Sequence, residues 1–368
     1  MKILVASNSA WNLYNFRLPM LKMIAEQGHS LILLSPKDEF IEKLMKELEC
    51  THLHLNSLNP RSIHPIADLN LFFELQKAYK KIKPDLIFHF TIKLNIYGGF
   101  AAKFNNIKYI SNITGLGSSF TNHSILRWWT MKMYRWALNK SICTVFHNQE
   151  DLTLFTKASI CEKTFLIPGS GIDVQYYKAQ KRNSLSVKKF LFAGRILPEK
   201  GIFEFCKAAE KIKQLYPDVV FDVVGDLSIL KQNQSLELQF NDFVIRNIIQ
   251  FHGAQSSIKH FYQNADVFVL PSYREGKSKA ILEAMAMELP IITTNVPGCN
   301  DISNDLFLVL SKNVEELYQM MCKLIEMPID ELQKIGAKNR QTTIQEFSTD
   351  KIVNLYQQLI AKIKDDQL

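Results

Sequence analysis

Two glutamates, Glu275 and Glu283, bracket the start of an expected helix. The run Ala265-Asp266-Val267-Phe268-Val269-Leu270 reads as a buried strand, and Pro271 to Gly276 as the loop that leaves it. A helix beginning near Ser278 then places Glu283 about two turns beyond Glu275. An ionised carboxylate accepts two or more hydrogen bonds, which suits ribose or sugar hydroxyls. Gly276 allows close approach of a ligand to the backbone, and the N–H groups of Lys277, Ser278 and Lys279 offer an anion site at the helix start. A second segment, Phe192-Ala193-Gly194-Arg195-Ile196-Leu197-Pro198-Glu199-Lys200-Gly201, is again strand, turn and helix start. Arg195, as a fork, and Lys200, as a point charge, could neutralise a diphosphate there. Alone, each segment has a plain reading: surface glutamates on a helix, and a solvated basic turn.

The elements that must hold these residues alternate short β-branched runs with helical patterns, as parallel α/β units do. Strands are expected at 2–7, 30–35, 85–90, 108–113 and 141–147, with helices at 16–27, 39–48, 71–81 and 125–139. A polar stretch, Gln180-Lys181-Arg182-Asn183-Ser184, reads as a linker. A second series follows, with strands at 189–193, 219–224, 248–252, 267–270 and 291–294 and helices at 201–215, 257–264 and 279–287. The expected domains are 1–178 and 187–349, with a final helix, about 350–368, packing back on the first. Open parallel sheets take ligands beyond the carboxyl ends of their strands. The expected architecture is therefore α/β, with two facing Rossmann-like domains and the active site in the cleft between them.

Composition narrows the class. With 368 residues, 47 % hydrophobic and 22 % charged, the chain is an ordinary globular protein of two-domain length. Its six cysteines show no metal-type spacing and read as thiols of a reducing compartment. The first apolar run is too short for a signal peptide, and no run approaches the roughly twenty residues of a membrane span. A cytoplasmic location is expected. The net charge of +8 lies wholly in residues 1–180, and no acidic residue occurs between Asp85 and Glu150. Within that window Ile125–Leu138 carries Trp128, Trp129, Trp136, Arg127, Lys132 and Arg135. Basic residues interleaved with aromatics suit a lipid headgroup layer. An anionic membrane surface is the expected partner of this half, and nucleic acid is not. His89, His147 and His252 read as packing residues at strand ends.

In combination, the C-terminal motifs resemble the retaining glycosyltransferase family 4, of GT-B fold. Glu275 and Glu283 match its two-glutamate motif, and Gly194-Arg195 with Lys200-Gly201 match its basic loop. Val223-Val224-Gly225-Asp226 and Phe251-His252-Gly253 match the strand ends between. The resemblance implies that Arg195 and Lys200 hold the donor diphosphate, that Glu283 holds the ribose, and that Gly276, Lys277 and Ser278 bind the donor. Glu275, nearest the transferred sugar, is the implied catalytic residue. In the N-terminal half, Ser9–Pro19, Thr91–Gly98 and Thr114-Gly115-Leu116-Gly117 are similar to bacterial transferases of the PglA type, which extend polyprenyl-diphosphate-linked saccharides. Arg17, Lys93 and Thr114 are the implied acceptor-side residues. Many family members carry a His where Thr114 aligns, and a Thr cannot act as a base. The expectation is a retaining enzyme that moves an N-acetylhexosamine or hexose from a UDP-sugar to a polyprenyl-diphosphate saccharide. It would need no metal or cofactor, and would work at the inner face of the cytoplasmic membrane in O-antigen, capsule or glycoprotein glycan assembly. The alternatives are a UDP-sugar 2-epimerase and a non-catalytic nucleotide-sugar-binding partner of a glycosylation complex.

Overall fold

The computed structural model describes residues 1–59, 64–116, 124–179 and 189–365. The expected linker 180–184 and Gly117 lie outside them. The chain forms two compact units, Met1–Gly171 with Thr349–Leu368, and Ile172–Ser348.

The first unit runs β1 (Lys2–Ala6), α1 (Ala10–Glu26), β2 (Ser30–Ser35), α2 (Phe40–Glu47), β3 (Cys50–His54), α3 (Pro65–Ile82), β4 (Leu86–Phe90), α4 (Gly99–Phe104), β5 (Tyr109–Ile113), α5 (Ser124–Leu138), β6 (Cys143–Phe146), α6 (Gln149–Lys157) and β7 (Thr164–Leu166). A turn of π-helix, Leu94–Gly98, follows β4. All seven strands are parallel, in the order β3-β2-β1-β4-β5-β6-β7. Successive side chains of β1 point to opposite faces. Ile3 and Val5 pack with the helix Thr349–Lys364, through Ile352, Tyr356, Leu359, Ile360 and Ile363. Leu4 and Ala6 pack with Leu71, Leu75 and Tyr79 of α3. Covered on both faces, the strands read as continuous apolar runs, which is why they were legible.

The second unit runs β8 (Lys189–Ala193), α7 (Ile202–Leu215), β9 (Val220–Val224), α8 (Gln234–Ile245), β10 (Gln250–Phe251), α9 (Lys259–Asn264), β11 (Val267–Leu270), α10 (Lys279–Ala286), β12 (Ile291–Thr294), β13 (Phe307–Val309), α11 (Val314–Glu326) and α12 (Ile329–Phe347). Helix α13 (Thr349–Lys364) then returns to the first unit. Its sheet is parallel, in the order β10-β9-β8-β11-β12-β13.

Several elements differ from expectation. Helix α1 starts six residues earlier than expected because Ser9 caps it, its hydroxyl accepting from the Asn12 N–H at 3.1 Å. Strand β3, sequence CTHLH, is an edge strand too polar to read as buried. The first unit also ends earlier, at Gly171 instead of 178. The Ile172 N–H donates to the Phe347 carbonyl at 2.9 Å, and the Arg340 guanidinium donates to the carbonyls of Tyr177 at 2.8 Å and Val174 at 3.2 Å. These bonds tie 172–178 to the second unit.

Candidate active site

Strands β8 and β11 are neighbours at the centre of the second sheet, where its winding reverses. The turns leaving β8, β9 and β11 are locked to each other by glycines. Gly201 sits at φ 74°, and a Cβ there would lie 2.1 Å from the Pro271 carbonyl oxygen. A Cβ on Gly225 would lie 1.7 Å from the Gly194 oxygen. The backbone of the β11 loop is fixed as well: the Tyr273 N–H donates to the Glu199 carbonyl at 2.8 Å, and the Glu275 N–H to that of Pro297 at 3.1 Å.

This framework brings Glu275 and Lys200 together. Lys200 Nζ forms an ion pair with Glu275 Oε1, which also accepts from the Ser272 hydroxyl at 2.8 Å. Arg195, on the same loop as Lys200, is exposed and makes no ion pair among the described residues. Glu283 projects from the second turn of α10 and is buried. It accepts from the Tyr262 hydroxyl at 3.1 Å and from Tyr177, with Lys279 Nζ 3.8 Å away. Burial pushes the Glu283 carboxyl above the usual carboxylate range, against the pull of Lys279 and both tyrosines. Tyr177 and Tyr262 carried no motif signal, because only the folded chain sets them beside Glu283.

Two expectations for the start of α10 need correction. The Ser278 N–H is not free: it donates to the Gly298 carbonyl at 3.2 Å. The Lys277 side chain, expected among the donor-binding residues, is engaged as well. It is folded inward, with Nζ 2.9 Å from Asp301 Oδ2, and its exposure is 3 %. Burial lowers its pKa, partly offset by Asp301.

The acceptor-side candidates all belong to the carboxyl edge of the first sheet but differ in state. Lys93 is sequestered, 2.6 Å from Asp68 Oδ1, while the Tyr97 hydroxyl donates to Asp68 Oδ2 at 3.1 Å. Thr114 follows β5 and is partly exposed. Arg17 is buried, its guanidinium 4.3 Å from the centroid of the Phe90 ring. His89 is fully buried, bonded through Nε2 to the Tyr79 hydroxyl at 2.9 Å, and burial pushes its pKa down to about 3. It stays neutral. Helix α5 buries Tyr134, Ala137 and Leu138 and leaves Ile125, Trp128, Trp129 and Trp136 exposed. Among the described residues no three His, Cys, Asp or Glu side chains cluster as metal ligands, and no helix is long and apolar enough to cross a membrane.

A family model described as glycosyl transferases group 1 matches residues 174–358, and one described as glycosyl transferase 4-like matches residues 2–148. The N,N'-diacetylbacillosaminyl-diphospho-undecaprenol alpha-1,3-N-acetylgalactosaminyltransferase of Campylobacter jejuni is 27 % identical over 99 % of this chain and 99 % of its own. The UDP-Gal:alpha-D-GlcNAc-diphosphoundecaprenol alpha-1,3-galactosyltransferase of Escherichia coli is 26 % identical over 80 % of this chain and 81 % of its own. Among solved structures, Anabaena HepE in complex with UDP and glucose matches with a TM-score of 0.78 at 18 % identity, covering 99 % of this chain and 100 % of that one. With the group 1 model spanning half of its length, including the whole β11–α10 edge, the chain belongs to the glycosyl transferases group 1 family and is a glycosyltransferase of GT-B fold.

Proposed function

We propose that the enzyme transfers an N-acetylhexosamine or hexose from a UDP-sugar to a polyprenyl-diphosphate-linked saccharide, with retention of anomeric configuration. The observation that carries this is the meeting of Lys200, from the loop that also carries Arg195, and Glu275 at the carboxyl edge of the second sheet, with Glu283 on the helix behind it. Arg195 and Lys200 take the donor diphosphate, Lys200 exchanging its Glu275 partner for phosphate. Glu275 and the Gly276 backbone then face the sugar, and Glu283 the ribose. The bond from the anomeric carbon to the β-phosphate oxygen breaks while the acceptor oxygen bonds to the same face. The acceptor proton passes to the departing phosphate. Negative charge grows on that phosphate, and preorganised cations stabilise it most where water is excluded. No metal enters this scheme, so turnover should persist in EDTA.

The acceptor class follows the Campylobacter and Escherichia relatives, whose names specify undecaprenyl-diphosphate acceptors. The exposed tryptophans of α5, with Lys132 Nζ 3.7 Å from the Trp128 ring centroid, suit an anionic headgroup layer at the inner face of a membrane. The test supplies UDP-hexoses and UDP-N-acetylhexosamines with or without a short polyprenyl-diphosphate N-acetylhexosamine. UDP should appear only with acceptor, and the product should carry an α-linkage by NMR. Epimerised UDP-sugar, or donor binding with no turnover, would overturn the reading in favour of the epimerase or the binding partner.

A further inference from the structure

The first sheet reverses its winding between β1 and β4, with β2 and β3 on one side and β4 to β7 on the other. The crevice beyond the strand ends at such a point is where open sheets take ligands. Arg17, on the helix that follows β1, reaches this edge and lies against Phe90, the last residue of β4. It is 4 % exposed, and its Nε and Nη1 have no hydrogen-bond partner. Burial pulls its pKa down, yet a guanidinium keeps its proton at any ordinary pH. The result is a desolvated cation. Lys93, the other cation proposed for this edge, carries its own counterion, Asp68. Arg17 has none among the described residues, and Tyr356, which faces it, spends its hydroxyl proton on Asn112 Oδ1 at 3.0 Å. The Phe90 ring satisfies only one face of the guanidinium. On the same edge the Asn8 Oδ1 is buried without a partner, and Thr91 is held at φ 76° despite its β-branch. A buried cation lacking an anion works against the fold, and a ligand that brings the anion resolves it.

We propose that Arg17 is the anion-binding residue of the first unit and that its ligand is the diphosphate of the lipid-linked acceptor. This rests on the acceptor class proposed above. A guanidinium matches the oxygens of a phosphate group in both charge and geometry.

Inorganic pyrophosphate tests the site without turnover. In an Arg195→Ala/Lys200→Ala background, which removes the donor diphosphate contacts, pyrophosphate at matched ionic strength should raise Tm. Adding Arg17→Met should abolish that rise. Because the unbound cation is uncompensated, Arg17→Met alone should leave Tm unchanged or higher, whereas a packing role requires it to fall. In otherwise wild-type enzyme, Arg17→Met and Arg17→Gln should raise KM for the diphosphate-linked acceptor about tenfold or more, leaving donor KM unchanged. An acceptor glycoside without the diphosphate should be used equally by all three proteins. Equal pyrophosphate stabilisation with and without Arg17, or an unchanged acceptor KM, would overturn the proposal. A pyrophosphate response that needs Arg17, in an enzyme that ignores every lipid-linked acceptor, would instead overturn the acceptor class and with it the assigned ligand.

Discussion

Lys200 and Glu275 form an ion pair, but their proposed contacts to the donor differ, so substitutions at the two positions act differently. On the proposed roles, Lys200→Ala and Arg195→Ala each remove a charge-assisted contact to phosphate, worth about 1.5–3 kcal/mol. Donor KM should rise about tenfold or more in each, read by steady-state kinetics against UDP-sugar. Glu275→Ala should instead depress kcat at saturating donor, since its proposed contact is to the reacting sugar. Glu283 joins its proposed ribose contact to a structural one. Its carboxylate accepts from Tyr262 and Tyr177 in a buried setting, so Glu283→Ala should raise donor KM and also lower stability by about 1–3 kcal/mol through orphaned hydroxyls. A Glu283→Ala protein with wild-type Tm and raised KM would separate the ribose role from the packing role. Wild-type kcat in Glu275→Ala would remove its catalytic assignment.

At the scale of elements, the site depends on loops that only glycine can close. Gly298, in the loop after β12, sits at φ 76°, and a Cβ there would lie 2.5 Å from the Glu275 carbonyl oxygen. The same residue's carbonyl accepts the Ser278 N–H at the cap of α10. Gly298→Ala should therefore push the Glu275 backbone out of place and strain its own φ. We expect kcat/KM to fall about tenfold or more, because small displacements of positioned groups cost that much, while the strands and helices, outside which Gly298 lies, keep their circular dichroism spectrum. Unchanged kcat/KM would mean that Glu275 tolerates movement and does not act by position.

At the scale of the molecule, charge is segregated: the excess cations lie in residues 1–180, and the stretch from Leu86 to Gln149 has no acid. Each cation near an anionic leaflet contributes about 1 kcal/mol, screened within a Debye length of about 8–10 Å. Binding to anionic liposomes should weaken as salt rises and be slight with neutral ones. The structure alters the choice of variant, because Arg135 Nη2 donates to the Ala158 carbonyl at 2.5 Å and helps hold α5 in place. Arg127→Glu with Lys132→Glu leaves that bond intact. Sedimentation with liposomes should show reduced binding, and transfer to a lipid acceptor should slow more than transfer to a soluble analogue. A folded double variant with undiminished binding would remove the membrane face and leave the transferase intact.

The alternation of apolar strands and amphipathic helices was written in the sequence, because strands covered on both faces need continuous apolar runs such as Lys2–Ala6 and Val267–Leu270. So was the strand, turn and helix framework of the candidate donor edge, because Gly194-Arg195, Lys200-Gly201 and Glu275 to Glu283 are local patterns. Edge strands β3, β7 and β13 were not legible, being short and partly exposed. Contacts between distant segments were decided only by tertiary structure. Packing sent Ile172–Lys178 to the second unit through Arg340, folded Lys277 away onto Asp301, and gave Lys93 a counterion in Asp68. It also left Arg17 without one, since whether a buried charge finds an anion depends on every element packed around it and not on its neighbours in the chain.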